Sequence, residues 1–408
     1  MSTITRLPRV TAAETLALAA AVALPSIAQG PVARRPYAVR LAELADADGR
    51  AIRLLARLRA EHGEGPLLVR VPGRGWVMLP LASRDVRAVL DDREFTPATR
   101  AKRGALGHFQ PDGLLITRDP GLRERRRALN DQVLGSGFAP FAQVVEEEAA
   151  TLPRHGQLTW PRFHATHWRI VRRIVLGDGA RDDVILTRQL DRLRADANWS
   201  DLRGLRTDVF NAFRRRLAGH LARAEPGSLA AGLARAHAAA DVHPEGQVPH
   251  WLFAFDGAAA ATYRALALAA APQGPAAHQG PADRRATVLE SVRLWPTTIA
   301  IVREAAGPTE WDVPEGTTAV IYSPYVNRAE PGDSYRPELW RDGGGEWAGV
   351  PFSAGFARCA GEDLVLFTAA ALLDAVLRER SVRPSVRLEG ALPAMLNHFR
   401  LNFAVKAA

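Results

Sequence analysis

The chain has 408 residues, 47% of them hydrophobic, and a single cysteine, Cys359. One cysteine excludes an intramolecular disulfide framework and any site built on several thiolates, and it points to an intracellular protein. The formal net charge is +9, but the basic residues are almost all arginine, spread along the chain and interleaved with acids, so no nucleic-acid footprint is marked.

At the N-terminus, TAAETLALAAAVALPSIAQG follows Arg6 and Arg9 with the outline of a signal peptide. Glu14 interrupts its start, and the uninterrupted run is only about ten residues before Pro25. That falls short of the roughly 20 residues needed to cross a bilayer, so no membrane span is expected. Residues 1–35 read as an apolar, helical lead segment ahead of one domain over 36–408. GRAIRLLARLRAEHG then sets Ile52, Leu55 and Leu58 at helical spacing, PLLVRVPGRGWVMLP reads as two short strands around a glycine turn, and SRDVRAVLDD is helical with Ser83 as its N-cap. LRERRRALNDQVL, RFHATHWRIVRRIVLG, ILTRQLDRLRADAN and NAFRRRLAGHLARA follow as amphipathic helices. One long helix comes next, VPHWLFAFDGAAAATYRALALAAA, ending before a Pro/Gly/His-rich turn from Pro272 to Pro281. RRATVLESVRLW is helical, TEWDVPEGTTAVIYSP reads as short strands joined by a turn, and a loop-rich segment around EPGDSYRPELWRDGGGEW leads to the cysteine. GEDLVLFTAAALLDAVLRE is the last helix. The pattern predicts one mainly α domain with a small β portion.

Four stretches carry chemistry. Cys359 lies in a loop bracketed by Gly355 and Gly361, just ahead of a helix whose free N–H groups favour a thiolate able to bind a metal. With no second cysteine, one axial bond to haem iron is the simplest metal role; the alternative is a buried thiol acting as a small hydrophobe. In LESVRLWP, Glu290 and Arg293 stand three apart on one helix face and can pair, as many surface residues do. In DGAAAATYRAL, small side chains either leave room for a flat ligand beside the Thr262 hydroxyl or serve close helix packing. In LRERRRAL, Arg126 either reaches a carboxylate or is simply solvated.

The order and spacing of these stretches carry a resemblance. An F-x-x-G-x-x-x-C-x-G loop near the chain's end, an E-x-x-R-L-x-P before it and a small-residue helix ending on a threonine before that are similar to the motifs of the cytochrome P-450 family, and the likeness runs from about residue 40 to the C-terminus. The resemblance implies a single-domain P-450 fold with haem between the long central helix and the cysteine-loop helix. It implies haem b with its iron bound by Cys359, Phe352 beneath the sulfur, and Gly355 and Gly361 admitting close backbone. Arg126 and Arg303 then meet the haem propionates, which suits the two-pronged guanidinium. Ala258 lies along the haem, Thr262 is catalytic, and Glu290 with Arg293 is structural. Phe255, Ala259, Thr298, Ile299 and Asn397 fall at substrate-pocket positions. The activity implied is that of a monooxygenase of the cytoplasm and of secondary metabolism, hydroxylating or oxidatively coupling a small organic substrate. It would use O2 and electrons from a separate ferredoxin or flavodoxin-type donor. A haem-binding protein without oxygenase activity and a peroxide-dependent variant stand as alternatives.

The chain departs from the family pattern at several positions. The basic residue usual two places before the cysteine is Ala357, with Arg358 one place late, and the position four before Arg126 is Leu122, which leaves His108 as a substitute. Leu339 stands where an arginine usually joins Glu290 and Arg293. In the long helix, A-G-x-(D/E)-T becomes Ala258, Ala259, Ala260, Ala261 and Thr262, so both glycine and acid are alanine. Asp256, six residues before Thr262, falls on a different face of a regular helix.

Overall fold

The computed structural model describes residues 7–63, 65–271, 280–340 and 347–408. The turn expected from Pro272 lies, up to residue 279, outside the described residues, as do Arg6 and 341–346 of the loop-rich segment.

Helix α1 (Ala12–Leu18) opens on a capping box in which Thr11 and Glu14 bond each other's backbone N–H. It runs through a π turn, Ala19–Ala23, into α2 (Leu24–Gln29) without a break. Pro25 therefore does not end the apolar run as expected. It sits within the continuous helix directly after the π turn, and the Ser26 hydroxyl donates to the Val22 carbonyl at 2.6 Å. The product is 18 continuous helical residues, Ala12–Gln29, long and apolar enough by length and composition to cross a membrane.

The chain continues through α3 (Pro36–Leu44), α4 (Ala47–His62), β1 (Leu67–Val71), β2 (Gly75–Leu79) and α5 (Ser83–Asp91). Ser83 is the first helical residue of α5 and not its cap; Ala82 holds that place without a side-chain bond. Next come β3 (Phe95–Thr96), α6 (Arg100–Leu106), α7 (Pro120–Leu134), α8 (Ala139–Ala149), β4 (Gly156–Thr159), α9 (Trp160–Leu176), α10 (Val184–Ala197), α11 (Thr207–Arg223) and α12 (Leu229–Arg235). Asp119, Asp183 and Ser228 cap α7, α10 and α12 by accepting an N–H from the first turn. The long α13 (Val248–Ala269) is followed by α14 (Pro281–Leu294), β5 (Ala300–Ala305), β6 (Thr318–Tyr322), α15 (Ser323–Val326), α16 (Glu362–Glu379), β7 (Arg380–Pro384) and β8 (Asn402–Ala407).

The chain divides into two compact units. The first takes the residues up to 103, 292–359 and 391–396. Its five-stranded sheet has the order β1-β2-β6-β5-β3. Leu55 and Leu58 of α4 and Val86, Val89 and Leu90 of α5 share one core with Leu67, Met78, Ile301 and Ile321 of the strands. Strand β5 alternates, burying Ile301, Arg303 and Ala305 on one face, so a guanidinium is carried inward with the core residues. The second unit takes 104–291, 360–390 and 397–408 and is mostly helical. There α13 packs against α9 and α16, and a three-stranded sheet of order β4-β8-β7 closes one side. Tyr263 of α13 meets Trp160, Phe163 and Phe403 in an aromatic cluster.

Candidate active site

In the first unit, the cysteine loop is shaped by backbone. Gly349 takes φ +85, and a Cβ there would lie 2.5 Å from the Asn327 Oδ1. That same oxygen accepts the Val350 N–H at 2.8 Å, so fully buried Asn327 holds the loop's entry. Ser353 (φ 64) and Gly355 (φ 63) both adopt left-handed conformations, which lets the chain reverse into a 3-10 turn over Gly355–Ala357. A Cβ on Gly355 would fall onto the Leu90 carbonyl of α5 and within 2.7 Å of the Asp91 carboxylate, so only glycine fits there. The loop closes where the Cys359 N–H donates to the Phe352 carbonyl at 3.0 Å, with the half-buried thiol at its end outside any disulfide. Arg303 reaches this loop from β5, donating to the Ser353 hydroxyl at 2.9 Å and to the Val302 carbonyl at 3.2 Å. Just ahead of β5, Ile299 is buried and Thr298 exposed. The structure thus brings Cys359, Phe352, Gly355 and Arg303 to one loop and its supporting strand.

Arg293 is fully buried and donates to the carbonyls of Asn327, Gly332 and Ser334 at 2.6–3.2 Å, bracing the segment that leads into the loop. Its helix neighbour Glu290 is fully buried as well. Leu339 is buried and apolar, and the further guanidinium in this region is Arg328, which donates to the Leu294 carbonyl at 2.7 Å and to Asp333 at 2.6 Å.

In the second unit, Phe255, Ala258, Ala259 and Thr262 lie buried along α13, which is α-helical without interruption from Val248 to Ala269. The Thr262 hydroxyl donates to the Ala258 carbonyl at 2.8 Å, and the Ala261 carbonyl accepts from the Ser291 hydroxyl at 2.8 Å. Asp256 is engaged elsewhere, with His164 of α9 at 2.9 Å and Arg194 of α10 at 2.5 Å. Burial alone would raise its pKa, but the charges and hydrogen bonds of Arg194 and His164 win and hold the carboxyl well below the usual range. His167 on the next turn of α9 bonds the Phe255 carbonyl at 2.9 Å, and burial, then the neighbouring His164, lowers its pKa to about 4. Asn397 is buried, its side-chain oxygen accepting from the Phe399 N–H at 3.1 Å. Its segment is drawn to α13, since Arg264 donates to the His398 Nδ1 at 3.2 Å and Tyr263 to the Leu401 carbonyl at 3.0 Å.

Arg126 of α7 is buried, with its donors directed to the Thr117 hydroxyl at 2.8 Å, the Val242 carbonyl at 3.1 Å and Asp112 at 3.5 Å. Burial lowers its pKa, and Asp112 and Asp241 push it back up. His108 is buried with its Nδ1 lacking a hydrogen-bond partner, and desolvation lowers its pKa against the pull of Asp196. Gly361 is the N-cap of α16 with φ −94; a Cβ there would meet only Leu134, at an ordinary 3.7 Å, among the described residues.

No family model matches the chain, and no curated protein matches it. Solved structures do. CYP175A1 from Thermus thermophilus aligns with a TM-score of 0.65 at 21% identity, over 89% of this chain and 97% of that one. A 6-coordinated cytochrome P-450 from another strain of Thermus thermophilus gives 0.67 at 19% identity, over 89% and 99%. CYP108D1 from Novosphingobium aromaticivorans gives 0.67 at 18% identity, over 98% and 100%. The fold is that of the cytochromes P-450. Over this P-450 fold the mainly α architecture with small sheets is as expected from the sequence.

Several residues that shape the site were not visible in the sequence. Asn327 and Ser353 hold the loop, Arg328 supplies a second buried guanidinium, and His164 and Arg194 hold Asp256. Each partners a residue distant in sequence, and none has a neighbouring pattern that would single it out.

Proposed function

We propose that this chain is a haem-thiolate monooxygenase acting on a small organic substrate, with haem b bound through the Cys359 sulfur. The observation that carries the reading is the loop itself. In a chain with the P-450 fold, the only thiol stands half-buried at the end of a turn that glycine alone permits.

The residues present fit haem. Cys359 offers one sulfur, and a thiolate donor suits iron. Arg303 is a buried guanidinium fastened to the same loop through Ser353, as a carboxylate-bearing cofactor requires. Along α13, Ala258–Ala261 presents nothing larger than a methyl group. When bound, the haem supplies the activation of dioxygen and the transfer of one oxygen atom to substrate. The chain's own contributions are different. Asn327 and the Gly355 turn fix where the sulfur stands. The resemblance to the P-450 motifs supports assigning Phe255, Ala259, Thr298, Ile299 and Asn397 to substrate, Arg303 and Arg126 to the propionates, and Thr262 as the one hydroxyl on the small-residue stretch of α13.

Proton delivery separates two versions of the reading. With Ala261 where an acid is usual, and Asp256 bound to Arg194 and His164, no carboxylate of α13 is placed to pass a proton to Thr262. This favours peroxide as a second source of oxidising power, since peroxide brings both protons with it. The first version draws electrons from a ferredoxin or flavodoxin-type donor.

The test is the absorption spectrum of the purified protein reduced with dithionite under carbon monoxide. A band near roughly 450 nm that is lost in Cys359→Ala is expected. A protein that takes up no haem, or a band unchanged in the variant, overturns the reading. Substrate turnover supported by hydrogen peroxide as well as by a ferredoxin-reductase pair is expected of the second version; turnover with the reductase pair alone sinks it.

A further inference from the structure

The N-terminal helices of the first unit turn an apolar ridge outward. Leu16, Leu24 and Ile27 along the continuous helix, and Tyr37, Leu41 and Leu44 on α3, are each more than half exposed, Tyr37 at 85%. Among the described residues, the other exposed large hydrophobics all lie between Val184 and Leu205, in the second unit. The ridge is ordered. Positions 37, 41 and 44 are i, i+4 and i+7 on α3, so they form one stripe, while Val39 and Ala42 face inward. Leu16, Ala20, Leu24 and Ile27 form a second stripe along Ala12–Gln29, and α2 packs beside α3. Isolated exposed apolar residues are ordinary, whereas a contiguous patch rimmed by charge marks an interaction surface.

The helix is held to the first unit by its inward side. Leu18 and Val22 pack into the core of the first unit, and Glu14 is held by the Thr11 N–H and by His62 of α4 at 2.7 Å. These contacts, the Thr11 N–H first, hold the Glu14 carboxyl down at a pKa of about 2, so it is ionised at neutral pH. The helix therefore lies along the surface with its apolar side outward.

Charge selects what covers it. Glu14 is the only acid on Ala12–Gln29 and it points to His62. Arg40 is exposed between Tyr37 and Leu41 on the outward side of α3, Arg50 is exposed on the neighbouring α4, and Arg9 stacks over Trp76. Exposed Asp46 is paired with Arg53 at 2.8 Å. A second copy would have to match the ridge with its own leucines and seat Arg40 on an acid, and the acids nearest in sequence are Glu43, half-exposed on α3 itself, and Asp46, already paired with Arg53. A lipid surface with anionic headgroups offers acyl carbon to the leucines, an interface to the Tyr37 phenol and phosphate to the arginines. We propose that α1 to α3 form an interfacial ridge that seats this protein on an anionic membrane surface without spanning it.

The test is flotation of the full-length haem-loaded protein with vesicles of phosphatidylcholine alone or with phosphatidylglycerol added. Wild type is expected to float with the anionic vesicles and to be released by salt. Leu41→Glu combined with Leu44→Glu should weaken binding by at least roughly tenfold, and Arg40→Gln by roughly fivefold. Both variants change exposed side chains, and an unchanged haem absorption spectrum and far-ultraviolet circular dichroism establish that they fold. Absence of wild type from the floated fraction, or equal flotation of the double variant, overturns the proposal. So does a dimer in sedimentation that the double variant dissociates while no vesicle is bound, because the ridge is then a contact between copies. These readouts do not depend on oxygenase activity, so the ridge and the proposed chemistry stand or fall separately.

Discussion

Gly355 and Gly390 share the same backbone angle, φ +63, and differ only in what surrounds them. A Cβ on Gly390 meets nothing within 4 Å, whereas one on Gly355 falls on the Leu90 carbonyl and within 2.7 Å of its carbonyl carbon. Gly390→Ala should therefore cost only the left-handed penalty, about 1–2 kcal/mol. Gly355→Ala carries that same penalty plus the displacement of helix backbone, roughly 1–3 kcal/mol more. The extra strain acts at the loop that ends on Cys359. Urea unfolding of the two variants, each followed by circular dichroism and by the carbonyl band, separates the contributions. Gly390→Ala should keep a wild-type band near roughly 450 nm, and Gly355→Ala should shift part of it toward roughly 420 nm as the sulfur is displaced. Equal destabilisation of the two variants, with equal bands, would refute the argument that α5 clamps the loop.

Two further predictions concern the polar contacts of α13. His167 is fully buried with a pKa lowered to about 4, so it is neutral at pH 7. The stability it contributes is whole above its unfolded value near 6.5 and is lost as pH falls toward 4, about 3 kcal/mol in all. His167→Gln keeps a donor for the Phe255 carbonyl and should flatten the dependence of the urea midpoint on pH between 6.5 and 4; an unchanged slope counts against it. Asp256→Asn removes the carboxylate that the buried Arg194 shares with His164, although Asp191 at 3.0 Å stays, and should cost about 3 kcal/mol at pH 7. Because the Asp256 pKa is depressed, that loss should persist undiminished down to about pH 5 and shrink only in stronger acid; a gap that closes by pH 6 would contradict the assignment.

The long helices were legible because their apolar residues recur at helical spacing and their ends carry Asp, Ser or Gly, as at Asp119, Asp183 and Ser228. The cysteine motif was legible because Gly355 is the only residue its backbone admits. What the sequence hid was short or non-local. The sheet of β4, β8 and β7 joins segments more than two hundred residues apart, and β7 ends on Pro384. Pro25 suggested a break, but the helix passes it by way of the π turn immediately ahead. Asp256 was correctly read as facing away from Thr262, yet its partners on α9 and α10 follow only from packing.

Tyr263 stands next to Thr262 and its single hydroxyl proton is shared between the carbonyls of Leu158 and Leu401, each at 3.0 Å. Ser291 grips the preceding carbonyl, and Arg264 is tied to His398. The C-terminal half of α13 is thus pinned against rotation about its axis, while the N-terminal half is held through Asp256 to His164 and Arg194, through the Phe255 carbonyl to His167 and through Trp251 to Asn130. A movement of α10 would therefore reach the helix at Asp256 and meet the held segment before it could turn Thr262, which makes this threonine a fixed bearing.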